Sequence, residues 1–112
     1  MTENIHEVSI IFNHLDELLT EEEREHIIHL ITSFCLKLSR QEEVENIELS
    51  VDEQKNHVGE ISVFNLTVKL SMFSGDHYIS NVTGRELETL IREALKNLEV
   101  QERRRHDRVV EH

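Results

Sequence analysis

The basic residues near the end of the chain have a spacing that suits phosphate binding. Four of them would lie within about 20° of one line along a helix, at about 100° per residue, and two more follow directly. They are Arg85, Arg92, Lys96 and Arg103, and then Arg104 and Arg105. Aligned cations displace counterions from a nucleic-acid backbone. The pattern therefore predicts a ridge that binds phosphate groups.

The same residues also fit a plain solvated helix face. From Arg85 to Arg105 there are six basic residues and five acidic ones interleaved with them, which favours intrahelical ion pairs and a basic end that suits the helix dipole. Aromatic residues for base stacking are few: Tyr78 and four phenylalanines, mostly at positions in phase with the core. Any RNA contact is therefore expected to depend on backbone and shape rather than on sequence.

Metal binding is the chemistry that eight histidines first suggest. His26 and His29 lie three residues apart in a helical pattern, but on the side away from its apolar stripe. No cysteine pair and no His-Glu-x-x-His motif accompanies them, so we expect no metal site. Cys35 is the only cysteine. It lies within an apolar pattern, which predicts a buried structural thiol.

Enzymatic chemistry has no support in the sequence. The glycines Gly59, Gly75 and Gly84 are scattered in turns and do not form a phosphate-binding loop. Nucleophile-elbow and kinase motifs are absent. The carboxylates lie on helix faces and in loops among other glutamates. We therefore expect that the protein is not an enzyme and that it binds no cofactor and no small-molecule substrate.

The net charge of −11 is carried by one half of the chain. Residues 1–54 contain 3 Lys/Arg and 14 Asp/Glu, whereas residues 55–112 contain 9 of each. This balance argues against indiscriminate nucleic-acid binding but permits a local basic surface in the second half. It also supports an alternative function, an acidic protein-interaction module.

Hydrophobic periodicity predicts the elements that position these residues. Residues 5–12 form a strand, and a capping box at Thr20 and Glu23 opens a helix that ends near Ser39-Arg40-Gln41. Residues 47–51 and 64–72 alternate as strands, with a turn over residues 53–59 between them and a bulge near Val63-Phe64.

The remaining elements complete the fold. Ser74-Gly75-Asp76 is a turn, and residues 77–82 form the last strand. A second capping box, at Thr83 and Glu86, opens a helix that runs to about Arg105. The predicted class is α+β, in the order β-α-β-β-β-α, with a four-stranded sheet and both helices on one face.

We expect one domain over residues 1–105 and a frayed C-terminal tail over residues 106–112. No apolar run approaches the roughly 20 residues of a membrane helix. The N-terminus lacks the basic and apolar regions of a signal peptide, so a cytoplasmic location is predicted.

A resemblance covers nearly the whole chain. The segments that carry it are residues 5–12, 20–40, 47–51, 75–80, 83–87 and 91–99, and the basic run 103–106. In these segments the chain resembles the short-form ribosome hibernation promoting factors, the ribosome-associated inhibitor family also labelled sigma-54 modulation proteins.

The resemblance implies a translational regulator that binds ribosomal RNA of the small subunit between head and body. It would block the messenger and transfer-RNA path in idle ribosomes. The family's basic residues match Lys37 and Arg40 at the end of the first helix. In the second helix they match Arg92, Lys96 and Arg103 to Arg105. The expected partner is the small ribosomal subunit, and the expected state is a monomer or weak homodimer without a membrane partner.

Overall fold

The computed structural model describes residues 8–38, 40–55 and 62–110, which form four strands and two long helices. In chain order these are β1 (Ser9–Asn13), α1 (Glu21–Leu36), β2 (Val44–Lys55), β3 (Ser62–Met72), β4 (His77–Gly84) and α2 (Leu87–Val110). Short 3-10 turns at Asp16–Leu18 and Gln41–Glu43 flank α1. The predicted α+β class and element order are confirmed.

The sheet has the strand order β1-β2-β3-β4. Because α1 connects β1 to β2, these two strands are parallel, whereas the hairpins β2–β3 and β3–β4 are antiparallel. The register aligns alternate apolar residues in rows across the sheet. One such row is Ile47, Leu70 and Tyr78. These rows form the buried face of the sheet, and the intervening residues form an open face rich in Asn, Ser and Thr.

Both helices bury their apolar stripes in one core. Ile27, Ile31 and Phe34 of α1 meet Ile91 and Leu98 of α2 in a cluster with the inner face of the sheet. α2 packs across β3 and β4, and α1 lies beside it. His26 approaches Glu88 near the start of the helices, and Arg40, just past the end of α1, approaches Glu102 further along α2. The two helices therefore run in the same direction.

The capping box at the start of α1 is confirmed. The Glu23 amide donates to Thr20 Oγ1 at 3.2 Å, and the Thr20 amide donates to Glu23 Oε1 at 2.9 Å. α1 nevertheless ends at Leu36, before the predicted end. Arg40 leaves the helical conformation, with φ −118° and ψ 51°, and its backbone amide and side chain bind Glu102.

The second capping box was predicted wrongly. Thr83 belongs to β4, where it pairs with Asn65, and α2 begins only at Leu87. The Glu86 carbonyl accepts the first helical hydrogen bond, from the Leu90 amide at 3.1 Å. A Cβ on Gly84 would lie 2.8 Å from Leu90 Cδ2, so the glycine permits the close approach of β4 to the new helix.

Other boundaries also differ from the predictions. β2 extends to Lys55, where it pairs with Ser62, and the rest of the predicted turn lies outside the described residues. The pairing of β2 with β3 is continuous at Gln54–Val63 and Glu53–Phe64, so the predicted bulge there is wrong. The β2–β3 register shifts between Val44 and Asn46 instead. Val63 takes the opposite face of the sheet from Phe64, which requires no extra residue.

The ends of the chain show two further differences. β1 begins at Ser9, and residues 5–7 of the predicted strand lie outside the described part of the chain. α2 continues to Val110, past the predicted end at Arg105. In the connection after β1, Leu15 is fully buried although no periodic pattern marks it, and His14 precedes it with φ 67°.

Side chains of α2 cover the outer edge of β4. Gln101 Nε2 donates to the Ile79 carbonyl at 3.0 Å. Asn97 Nδ2 donates to Ser80 Oγ at 3.1 Å.

The predicted turn over residues 74–76 is confirmed, with Gly75 at φ 99°.

Candidate nucleic-acid interface

A shallow groove between α1 and α2 brings together three of the predicted cations. Lys37 comes from the C-cap of α1, and Arg92 and Lys96 come from successive turns of α2. The groove has a volume of about 200 Å³, and its lining includes Leu30 and Leu95. All three cationic side chains are exposed. Glu99 lines the groove as well. Three cations and one carboxylate from distant parts of the sequence thus meet there, because the two helices lie side by side.

Two of the aligned cations make ion pairs within α2. Arg92 Nη2 lies 3.0 Å from Glu88 Oε2, and Arg103 Nη2 lies 2.8 Å from Glu99 Oε2. Glu88 also faces His26 Nε2 at 3.4 Å. Hydrogen bonds from Arg92 and then from His26 hold the pKa of Glu88 below its usual range. The Arg92–Glu88 and Arg103–Glu99 pairs are the intrahelical pairs expected of a solvated helix face.

Lys37 and Lys96 have no acidic partner among the residues that the structure describes. Both are exposed and both line the groove. An unpaired ammonium group keeps its full charge for an incoming anion, because no carboxylate must first be displaced. These two lysines are therefore the strongest candidates for phosphate contacts.

Arg40 is placed in the interior rather than in the groove. Its Nε lies 3.2 Å from Glu102 Oε2, and its Nη1 lies 3.1 Å from Asp76 Oδ2. Its Nη2 donates to the Tyr78 hydroxyl. Only 17% of the Arg40 side chain is exposed, and Glu102 is fully buried. Arg40 therefore joins the end of α1 to the β3–β4 turn and to α2.

The hydrogen bonds of Arg40 and the burial of this cluster shift the pKa values of Asp76 and Tyr78. Together with Arg105, Arg40 holds the pKa of Asp76 below its usual range, with the Arg40 hydrogen bond as the largest cause. Burial raises the pKa of the Tyr78 hydroxyl. Asp76 and Glu102 thus give Arg40 the charged partners that a largely buried guanidinium requires.

Arg85 lies apart from the other cations. Because α2 begins at Leu87, helical spacing does not apply to Arg85, and the predicted line of four is reduced to three. Arg85 lines a cleft of about 600 Å³ between the start of α1 and the start of α2. Four glutamates line the same cleft: Glu22, Glu23, Glu86 and Glu88. Its surroundings are therefore acidic.

The arginine run at the end of the ridge is exposed but spreads in different directions. Arg105 Nε lies 3.7 Å from Asp76 Oδ2, beside the β3–β4 turn. Arg104 lines a groove at the edge of β4 together with Ile79 and Gln101. Arg103 pairs with Glu99, which lines the groove between the helices.

Sequence analysis missed one exposed aromatic residue. Phe73 is 62% exposed in the β3–β4 turn, whereas Phe34 and Tyr78 are buried as their phase predicts. The signal was present, because Met72 is the last inward residue of the β3 alternation and Phe73 falls out of phase directly before Ser74.

Cys35 is buried, as predicted, and burial raises the pKa of its thiol to about 11. His26 and His29 are exposed on α1. No group of three or more His, Cys, Asp or Glu side chains suited to a metal ion occurs within residues 8–38, 40–55 and 62–110.

In the same ranges, no helix combines the length and the apolar character needed to cross a bilayer. Comparison with known proteins finds no family model that matches the sequence and no curated protein with significant similarity to it.

Proposed function

We propose that the protein is a noncatalytic translational regulator that acts in the cytoplasm and binds ribosomal RNA of the small ribosomal subunit. The observation that carries this proposal is the meeting of Lys37 and Lys96 in the groove between α1 and α2, with Arg92 beside them. The element order of the fold agrees with the resemblance to hibernation factors. A domain bound between head and body would exclude messenger and transfer RNA from their path.

The groove suits a phosphate backbone better than it suits bases. Three cationic groups from two rigid helices can each take a phosphate oxygen, and the counterions released on contact favour binding. Arg92 can reach a phosphate only by weakening its ion pair with Glu88. The two lysines are therefore expected to supply most of the salt-dependent affinity.

The test is co-sedimentation of the purified protein with small ribosomal subunits at low salt. The double variant Lys37→Glu with Lys96→Glu should lose co-sedimentation. A milder pair, Lys37→Gln with Lys96→Gln, should weaken it and lower the slope of log affinity against log salt by about two, roughly one per lost phosphate contact.

A matched control reverses the charge of two lysines outside the groove. Lys55→Glu with Lys69→Glu alters two lysines of β2 and β3, away from the helix groove, and should retain most of the binding. If wild-type protein does not sediment with the subunits, the proposal is wrong. Equal losses in both charge-reversed variants would show that net charge, and not the groove, determines binding.

The acidic cleft favours the second candidate function, a protein-interaction module. Four glutamates line it beside apolar residues such as Leu19 and Phe64. Recovery of one protein partner from nuclease-treated lysate, without ribosomal proteins, would support this alternative. Loss of that partner on Glu22→Lys with Glu86→Lys would locate its contact at the cleft.

A further inference from the structure

A serine hydroxyl lies among the cations of the groove between α1 and α2. Ser33 lines the groove one turn before Lys37 on α1, and Arg92 and Lys96 line it from α2. Side chains four residues apart on a helix are neighbours, with their Cβ atoms about 5–6 Å apart. Ser33 and Lys37 therefore form an adjacent pair that shares the groove with a second adjacent pair, Arg92 and Lys96.

The hydroxyl of Ser33 has no hydrogen-bond partner within residues 8–38, 40–55 and 62–110. Its neighbour Thr32 differs, because the Thr32 hydroxyl donates to the Ile28 carbonyl at 2.9 Å. Such a bond to the preceding turn is the common way in which a helix satisfies a hydroxyl. Ser33 is partly buried, whereas Thr32 is exposed. Water satisfies a hydroxyl of this kind until a ligand that enters the groove replaces it.

A phosphate oxygen is the acceptor that this site suits best. Serine hydroxyls donate to phosphate oxygens in nucleic-acid complexes, and a hydrogen bond to a charged acceptor is stronger than one between neutral groups. The cations around Ser33 attract the phosphate. Glu99 also lines the groove, but its carboxylate lies 2.8 Å from Arg103 Nη2, which offsets its charge.

We propose that the Ser33 hydroxyl donates a hydrogen bond to an RNA phosphate that Lys37 and Lys96 attract into the groove. This inference rests on the proposed function and adds to it a neutral contact that fixes the position of one phosphate between the helices. A hydroxyl carries no charge, so its contact adds affinity without replacing a counterion of the RNA.

The test measures the affinity of Ser33→Ala for purified small ribosomal subunits over a range of salt concentrations. We expect affinity to fall by about 10- to 150-fold, the range for loss of a hydrogen bond to a charged group. The slope of log affinity against log salt should equal that of the wild type. The groove-lysine variants should lower this slope, so the slope distinguishes the hydroxyl from the cations.

Three further variants serve as controls. Thr32→Val removes a hydroxyl from the exposed side of α1 and should bind like the wild type. Ser33→Cys, kept reduced, has a similar size but a much weaker donor, and should bind like Ser33→Ala. Ser33→Asp places a carboxylate beside Lys37 and should both weaken binding further and lower the salt slope.

Stability of the variants is checked by thermal unfolding. Alanine favours a helix more than serine does, so the unfolding midpoint of Ser33→Ala should not fall below that of the wild type. A loss of binding without a loss of stability then belongs to the contact with RNA and not to the packing of α1.

The outcomes separate the two proposals. If the wild type binds small subunits and Ser33→Ala or Ser33→Cys binds them equally well, the hydroxyl contact is refuted while the proposed function stands. The contact is likewise refuted if Ser33→Ala lowers the salt slope, or if Thr32→Val loses as much affinity. If the wild type does not bind small subunits, the proposed function fails, and the Ser33 proposal fails with it.

Discussion

Arg40 shows how a residue that looks suited to RNA binding can serve the fold instead. Its guanidinium reaches Glu102, Asp76 and Tyr78, which belong to α2, to the β3–β4 turn and to β4. Glu102 is fully buried, and both the backbone amide and the Nε of Arg40 donate to its carboxylate. A buried charge that loses its partner retains its full desolvation cost.

Replacement of Arg40 should therefore destabilise the protein strongly. We expect Arg40→Met to lower the free energy of unfolding by on the order of 3 kcal/mol, measured by chemical denaturation. The double variant Arg40→Met with Glu102→Leu should recover part of that loss. The buried charge is gone, but the backbone amide of residue 40 loses its acceptor. Arg104→Met removes an exposed arginine at the edge of β4 and serves as the control. A loss in Arg40→Met no larger than in this control would contradict the structural role.

Sequence alone could not reveal the role of Arg40. Its partner Glu102 lies 62 positions away, and Arg40 follows a helix at a position that resembles an ordinary basic cap. Lys37, three residues earlier, could be placed in the groove only once the packing of α1 beside α2 was known. Phe73 is different, because its phase relative to Met72 was visible in the sequence.

At the scale of elements, two similar Thr-x-x-Glu segments have different structures. The Thr20 hydroxyl accepts from the Glu23 amide and opens α1, whereas Thr83 is an exposed residue in β4. The first motif was predictable because a capping box depends on contacts within one turn. The second was overridden by pairing of β4 with β3, which continues through Thr83 and Gly84. The alternation of strands was predictable, but their ends depend on partner strands.

Replacement of threonine by the isosteric valine distinguishes the capping residue Thr20 from the strand residue Thr83. Thr20→Val removes the capping hydroxyl and should lower the free energy of unfolding by about 1 kcal/mol. Thr83→Val keeps a β-branched residue in an exposed strand and should change it by less than about 0.5 kcal/mol. Thermal and chemical denaturation of both variants provide the measurement. Equal costs at the two positions would contradict this assignment of caps.

At the scale of the whole molecule, the parallel course of α1 and α2 separates charge along one axis. Acidic residues gather where both helices start, around Glu22 and Glu86, and the groove lysines Lys37 and Lys96 lie further along the helices. Glu22 in the first turn of α1 and Lys37 at its C-cap also suit the helix dipole, whereas Lys96 lies in the interior of α2. Glu22 and Lys37 are about 22 Å apart along α1, at about 1.5 Å per residue.

This separation predicts a salt-dependent effect of the acidic end on the proposed RNA binding. Glu22→Gln with Glu25→Gln should raise the association rate with RNA at about 0.01 M salt, where the Debye length is about 30 Å. At about 0.15 M the Debye length falls to about 8 Å, and the rate should equal that of the wild type. Stopped-flow binding at the two salt concentrations measures both rates. A gain that persisted at the higher salt would indicate a direct contact of the acidic end with RNA.

The hydrogen bond from Gln101 to the Ile79 carbonyl has a consequence for the behaviour of the protein at high concentration. An edge strand with free carbonyl and amide groups is a template on which further strands can assemble into aggregates. Gln101 occupies one of these carbonyls on β4, and Asn97 and Arg104 lie along the same edge. The helix that carries the basic ridge thus also guards the sheet against self-association through β4.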